Sequence, residues 1–299
     1  MKIVNIIGGL GNQMFQCAFA LSLKEKYPLE DVYVDISHFR HLFIKKWGSA
    51  NLHNGFEINK LYPNFDLQVA TPWNLFRVSW YIPNYFLSRF LRRYLPKRAS
   101  EVIQKPSDYF IYDSSVYEKN GDTYFEGQWE SISYYLPIRE RLMQVFAHPT
   151  PNMINSYYIQ QMEHKESVGL HVRRGDYLAS KGFCGVCDLN YYKRAIELLL
   201  SEDLEYTFYV FSDDPKWCEN NIRPLVGNND FIMVTENTGE NSCWDMFLMT
   251  HCRYLIIANS SFSWWGAFLN NNVKKVIAPQ KWINRNTEFD IWDPDWIRV

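Results

Sequence analysis

Apolar and polar positions along the chain follow two alternating periods, most clearly in the C-terminal half. Val168–Val172 is an apolar run that ends in charge, and Tyr191–Leu200 carries apolar residues at helical spacing (Ile196, Leu199, Leu200). Tyr206–Phe211 is rich in β-formers and runs into Ser-Asp-Asp-Pro, a helix-start signal. Further along, Phe231–Val234 reads as a strand, Ser242–His251 as a helix, and Tyr254–Ala258 as a buried strand. Ser261–Asn270 then reads as a helix and Val276–Ala278 as a strand. Strands alternating with helices predict βαβ units, hence an α/β fold with a parallel sheet. Ligands of such sheets sit beyond the carboxyl ends of the strands. Those ends carry Arg173-Arg174, Ser212-Asp213 and Asn259-Ser260-Ser261.

The N-terminus opens in the same way. Ile3–Ile7 predicts a strand, Gly8–Gly11 a glycine turn, Asn12–Tyr27 a helix, and Val32–Asp35 the next strand. From about 40 to 165 the chain is rich in aromatics and shows no clear period. Two uncharged runs, Ile3–Leu23 and Tyr254–Val273, are broken by Asn, Gln, Gly or Ser, which argues against membrane spans. No secretory leader is recognised, so the six cysteines read as reduced thiols of a cytoplasmic protein.

Composition sharpens this picture at two points. The 299 residues carry a net charge of −2, which disfavours a general nucleic-acid binder. Aromatics reach 17%, which suits sugar-stacking platforms or simple core filling, and Trp73, Trp80 and Trp129 are platform candidates. Residues 73–98 hold six Arg or Lys and no acid. After Pro83, Phe86, Leu87, Phe90, Leu91, Tyr94 and Leu95 share one helical face, with Ser88, Arg89, Arg92 and Arg93 on the other. The plain expectation is a surface helix packed on the core by its apolar face. The functional one is peripheral contact with an anionic membrane.

Three constellations carry candidate chemistry. The first is His171-Val-Arg-Arg-Gly-Asp-Tyr177, where two permanently charged forks at a strand end could neutralise a diphosphate. A salt bridge to Asp176 is the structural alternative. The second is Asn259-Ser-Ser-Phe-Ser-Trp-Trp-Gly266, which joins a strand to a helix and offers hydroxyls and free N–H groups to an anion. Plain N-capping by Ser260 or Ser261 competes with that reading. The third is Gly8-Gly-Leu-Gly-Asn-Gln-Met14, a loop suited to close backbone approach. Met14 stands where a dinucleotide fingerprint needs its third glycine, although Asp35 would suit a ribose. Acid/base candidates are Asp176, Asp213, Asp214 and Asp245. Asp293-Pro-Asp295 reads as a turn, Cys184-Gly-Val-Cys187 lacks a second pair for zinc, and His38 and His41 read as surface or core polar residues.

Gly8-Gly-Leu-Gly-Asn-Gln-Met-Phe-Gln16, His171-Val-Arg-Arg-Gly-Asp-Tyr177, Phe211-Ser-Asp-Asp214 and Asn259-Ser-Ser-Phe-Ser-Trp-Trp265 occur in this order. Together they resemble the bacterial α-1,2-fucosyltransferases of glycosyltransferase family 11. Cys17-Ala18 replaces the family's Tyr-Ala, a departure on the first helix. The resemblance implies a GT-B-like arrangement of two Rossmann-like lobes with a cleft between them, here residues 1–160 and 161–299. It implies inverting, metal-independent transfer of L-fucose from GDP-β-L-fucose to the 2-hydroxyl of a terminal β-galactoside, with no cofactor.

On that basis Arg173 and Asp176 are the expected catalytic residues. Gly9, Gly11, Asn12, Gln13, His171, Arg173, Arg174, Asp213, Asp245, Ser260, Ser261, Phe262 and Ser263 are expected to bind the donor. Asp245 lies sixteen residues before Ser261, as the guanine-reading Asp of related enzymes does before its phosphate-binding Ser. Expected partners are GDP-L-fucose, the terminal galactose of an oligosaccharide, no nucleic acid, and a membrane surface through 73–98 on the cytoplasmic face. The competing classes are an NAD-linked oxidoreductase and a non-catalytic carbohydrate-binding protein.

Overall fold

The computed structural model describes residues 1–40, 54–202, 204–285 and 288–299, so His41 lies outside the described residues. The chain divides into two compact units: Met1–Ala147 with Glu288–Ile291, and His148–Thr287 with Trp292–Val299. The division falls before the expected 160/161 boundary. Helix Met153–His164 belongs to the second unit, where Asn155 exchanges two hydrogen bonds with Asn237, 2.9 and 3.1 Å long.

In the first unit the strands are β1 (Lys2–Asn5), β2 (Val32–Asp35), β3 (Gln68–Val69), β4 (Glu101–Ile103) and β5 (Thr123–Glu126). They pair in the order β3-β2-β1-β5-β4, every pair parallel. The helices are α1 (Leu10–Lys26), α2 (Ile58–Leu61), α3 (Pro72–Val78), α4 (Tyr85–Tyr94) and α5 (Arg139–Val145). The central helix α1 packs on β1 and β2 and is buried from Gln13 to Leu23. A helix enclosed on all sides is uncharged on all sides, which accounts for the run Ile3–Leu23.

The strands of the second unit are β6 (Ser167–Val172), β7 (Thr207–Ser212), β8 (Asp230–Val234), β9 (Tyr254–Ile256), β10 (Lys275–Ala278) and β11 (Ile297–Arg298). Its helices are α6 (Met153–His164), α7 (Leu189–Leu200), α8 (Pro215–Asn221), α9 (Cys243–Met249) and α10 (Ser261–Phe268). The sheet runs β11-β10-β9-β6-β7-β8, again all parallel. Counted from β6, that is the doubly wound order 3-2-1-4-5-6 of a Rossmann fold. The core is layered as such a sheet requires. Val168, Leu170 and Val172 of β6 pack with Tyr192, Ala195, Ile196 and Leu199 of α7, all buried. Each unit is thus a Rossmann-like lobe, as expected. Among the described residues, no helix is long and apolar enough to cross a membrane.

Helix α4 corrects one expectation. Its apolar side faces outward: Phe90 is 54% and Tyr94 73% exposed, and Phe86, Leu87 and Leu95 are also exposed. Ser88 and Arg92 face inward and are 1% exposed. The reason is an ion pair. The Arg92 Nε donates to Glu126 Oε2 at 2.7 Å, its Nη1 to the Trp80 carbonyl at 3.3 Å, and its guanidinium lies 4.8 Å from the Tyr124 ring centroid. Burying a paired arginine sets the helix rotation against the hydrophobic pattern.

This inversion is open to measurement by denaturant unfolding of the first unit. Phe90→Ser should cost less than about 1 kcal/mol, because an exposed side chain is truncated. Arg92→Ala should cost more, about 3 kcal/mol, because it leaves the buried Glu126 carboxylate with only the partly exposed Arg89. The reverse ranking would restore an apolar-inward helix.

Candidate active site

In the second sheet the strand order turns between β6 and β9, and the crevice beyond those carboxyl ends is where a doubly wound sheet holds its ligand. Two of the sequence motifs flank it. The segment after β6 carries Arg173-Arg174-Gly175, and the segment from β9 to α10 carries Asn259–Ser263.

Asp213, which follows β7, organises the first segment. Its Oδ1 accepts the Arg174 backbone N–H at 2.9 Å, and its Oδ2 accepts the Gly175 N–H at 3.1 Å. Oδ2 also pairs with Arg173 Nη1 at 3.2 Å. A Cβ on Gly175 would lie 2.8 Å from that oxygen, so the close approach needs glycine. Arg173 further bonds Asp176, with Nε at 3.0 Å and Nη2 at 2.9 Å from Oδ1. Asp176 is 66% exposed and opens a short 3-10 turn. Arg174 pairs with Asp214 at 3.2 Å and lies over the Trp217 ring at 4.0 Å. Asp214 also caps α8 by accepting from Trp217 N. Asp213 and Asp214 are therefore fully engaged in holding the arginines and the helix.

His171 sits one residue before the end of β6 and is buried, with its ring 5.8 Å from Phe262. Its Nδ1 is buried without a hydrogen-bond partner. Burial, helped by the Arg173 charge, pushes its pKa down to about 3, so the ring is neutral near pH 7. A neutral imidazole with one unused nitrogen suits a ligand hydroxyl. Across the crevice, Ser260 caps α10 by accepting from Phe262 N at 3.4 Å. Ser263 is buried and donates to the Ala258 or Ser260 carbonyl, so its hydroxyl serves the turn. Ser261 and Phe262 stay half-buried at the head of α10. The Tyr177 hydroxyl donates to the Asn259 carbonyl at 3.2 Å and ties the two segments together. Nothing in the spacing of Tyr177 from residue 259 points to this contact.

Asp245 lies in the first turn of α9, and Asn237 Nδ2 donates to its Oδ1 at 2.9 Å. Among the described residues that hydrogen bond comes from Asn237, not from Arg173 or Arg174. Burial, reinforced by Glu236, pushes its pKa up to about 7, against the Asn237 hydrogen bond.

The glycine loop of the first unit differs from expectation. Gly8 has φ +85° and admits the turn into α1, whose N-cap is Gly9. Gln13 is wholly buried and clamps the loop instead of facing a ligand. Its Nε2 donates to the Gly8 and Gly55 carbonyls at 3.0 and 2.8 Å, and its Oε1 accepts from Glu57 N. Gly11 is buried, while Gly9 and Asn12 are half-buried. Asp35 is also spent: Tyr124 Oη donates to it at 2.7 Å and Ser37 N at 2.9 Å. A ribose-reading role is thereby removed, and with it the basis for an NAD enzyme. Trp129 is 1% exposed and stacked on Phe19, so it fills the core and is no platform, whereas Trp73 is 68% exposed. Asp295 N donates to Asp293 Oδ1 at 3.1 Å, which makes Asp293-Pro-Asp295 a closed turn. The Cys187 Sγ accepts from Asn259 N at 3.3 Å, and burial lifts its pKa to about 12.

Comparison with known proteins adds the following. The model of glycosyl transferase family 11 matches residues 1–299. An Escherichia coli alpha-1,2-colitosyltransferase is 31% identical, covering 99% of this chain and 98% of its own. A Bos taurus galactoside 2-alpha-L-fucosyltransferase is 27% identical over 46% of this chain and 40% of its own. Among solved structures, the NodZ alpha-1,6-fucosyltransferase soaked with GDP-fucose aligns with a TM-score of 0.47 and 14% identity, covering 93% of this chain and 94% of that one.

The buried His171 makes a stability prediction. Its folded pKa of about 3 lies below the ordinary 6.5, so the unfolded chain takes up the proton first as pH falls. Its contribution is complete above pH 6.5 and is lost as pH falls towards 3. His171→Leu should flatten the acid side of the curve of unfolding free energy against pH. An unchanged slope would mean the ring is already charged in the fold.

Proposed function

The chain belongs to glycosyl transferase family 11, and on that premise we propose that it transfers L-fucose from GDP-β-L-fucose to the 2-hydroxyl of a terminal β-galactoside, inverting the anomeric carbon and using no metal. The observation that carries this reading is the crevice of the second sheet, with Arg173 on one side and the head of α10 on the other. As GDP leaves, negative charge grows on the β-phosphate. A guanidinium aimed there stabilises the transition state more than the ground state. Arg173 stays held through Asp213 while its contacts with the exposed Asp176 exchange for phosphate oxygens. Asp176, so released, is the proposed base for the acceptor hydroxyl. Arg174, pinned by Asp214 and Trp217, holds the loop.

His171 would accept from or donate to a ribose hydroxyl through its unused Nδ1. The head of α10 would meet the diphosphate with the helix dipole behind it, the Ser260 cap on Phe262 N giving way to a phosphate oxygen. Asp245 would accept from guanine N1–H and the 2-amino group. In the first unit, Gly9 and Asn12 would contact the donor through a loop that Gln13 holds. The colitosyltransferase relative favours a second donor, GDP-linked colitose, and assaying both donors against one β-galactoside separates the two readings.

Arg173→Ala should lower kcat/KM for GDP-fucose about a hundredfold or more, as for a lost oxyanion donor. Asp176→Asn should lower kcat with little change in KM, and EDTA should leave the wild-type rate unchanged. A near-normal rate for Arg173→Ala would defeat the assignment, and linkage to a position other than galactose O2 would defeat the regiochemistry. Asp245 adds a pH signature, since two guanine donors require the ionised carboxylate and its pKa is raised to about 7. GDP affinity should rise with pH through about 7 and then level off, measured by calorimetry. Asp245→Asn should bind GDP weakly and without that dependence, whereas a wild-type pH profile in the variant would remove guanine from Asp245.

A further inference from the structure

The first unit holds a cavity that the donor reading leaves unused. Its volume is about 320 Å³, within the range of small-ligand sites. Ile7, just past β1, and Gly127 and Gln128, just past β5, form one wall. β1 and β5 are the neighbours at which this sheet's strand order turns. The cavity thus lies at the switch point of the first sheet, beyond the carboxyl ends, the same position as the crevice in the second sheet.

Its charge is one-sided. Arg89, Arg92, Arg93, Lys97 and Lys105 line it, against the single carboxylate of Glu126. Glu126 is already committed to Arg89 at 3.2 Å and Arg92 at 2.7 Å. Among the described residues no carboxylate pairs with Arg93, Lys97 or Lys105. Arg92 is buried and its Nη2 has no acceptor. Such a guanidinium is costly unless an acceptor arrives, and clustered cations repel until an anion enters. The outer face of the same helix exposes Leu87, Phe90, Tyr94 and Leu95.

We propose that this cavity binds a phosphate or diphosphate group, held by Arg93, Lys97 and Lys105 at its rim. Forked and point cations together suit an anion with several charged oxygens. A phosphate seated on one side of α4 with an apolar face on the other matches a phospholipid headgroup and its chain, so a membrane lipid is the source. The binding site does not depend on the donor reading, because none of its lining residues is among those assigned to the donor.

The test is calorimetry with inorganic pyrophosphate, which could also occupy the second unit. An Arg173→Ala background removes that second site, and its loss of GDP binding reports on the donor reading separately. Arg173→Ala should still bind pyrophosphate, and adding Arg93→Glu with Lys97→Glu should weaken that binding at least about tenfold. Both side chains are exposed, and thermal unfolding checks the fold. Lys105→Glu, on a different segment, should weaken binding in the same direction. Loss of all binding in Arg173→Ala alone, or unchanged affinity after the charge reversals, overturns the cavity assignment.

Co-sedimentation then separates the sources. Wild type should sediment with phosphatidylglycerol vesicles and not with phosphatidylcholine vesicles. Phe90→Ser with Tyr94→Ser should detach it while pyrophosphate binding persists. Pyrophosphate binding without any vesicle binding would assign the cavity to a soluble phosphate compound and overturn the lipid source.

Discussion

The candidate site depends on one carboxylate. Asp213 receives the N–H groups of Arg174 and Gly175 and pairs with Arg173, so a single side chain fixes both backbone and charge after β6. It can do so because β6 and β7 are in register, with Val172 opposite Ser212, which puts Asp213 beside the first residues past the strand. A slip by one position would turn the side chains of one strand to the opposite faces of the sheet and undo their packing, so the core specifies the geometry of the arginines. The absence of a Cβ at Gly175 lets the carboxylate come close. Packing, register and one glycine therefore combine to place a charge where an anion is expected.

Burial separates two kinds of arginine–carboxylate pair. Arg92 and Glu126 are both sequestered, and their pair sets how α4 sits. Breaking such a pair leaves an uncompensated charge in a dry place, so it is structural. The Arg173–Asp176 pair is half open to water. Exposed pairs are worth little on balance, so a phosphate can displace Asp176 at small cost. The same residue types thus serve as a fixed brace in one unit and as an exchangeable contact in the other. Neither role can be read from the dipeptide alone.

Much of the second unit was legible because its strands and helices are periodic and long. The expected strands of that unit and the helices α7, α9 and α10 all appear, with ends shifted by a few residues. β3, β4 and β5 were not legible. They are two to four residues long, too short for periodicity to register in an aromatic-rich stretch. The rotation of α4 runs against its pattern, because periodicity assigns the apolar face inward and carries no signal of a buried ion pair. At the site, Arg173, Arg174 and Asp213 could be expected together from their strand ends. The clamps made by Gln13 and Tyr177 could not, since each joins segments with no local pattern: Gln13 reaches Gly55 and Glu57, and Tyr177 reaches Asn259.

The aromatic excess and the near-neutral charge acquire separate explanations. Trp129, Trp264 and Trp265 are fully buried, and Trp264 stacks on Phe268 at 4.7 Å, so much of the excess is core. Of the aromatics that stay exposed, Trp73, Phe76, Phe86, Phe90 and Tyr94 sit on α3 and α4, within the basic segment, while Tyr112 and Tyr157 lie elsewhere. Net charge is a property of the whole chain, whereas an anion feels only charges within about 8–10 Å at physiological salt. The six positive charges of residues 73–98 are balanced by acids elsewhere, so the total of −2 conceals them. The arginines after β6 are balanced by Asp176, Asp213 and Asp214 beside them. Both sheets gather cations where their strand order turns, one set compensated in place and the other left largely open. An exposed, compensated pair suits a charge that must be met and released in each reaction cycle. An open cluster suits one that is held.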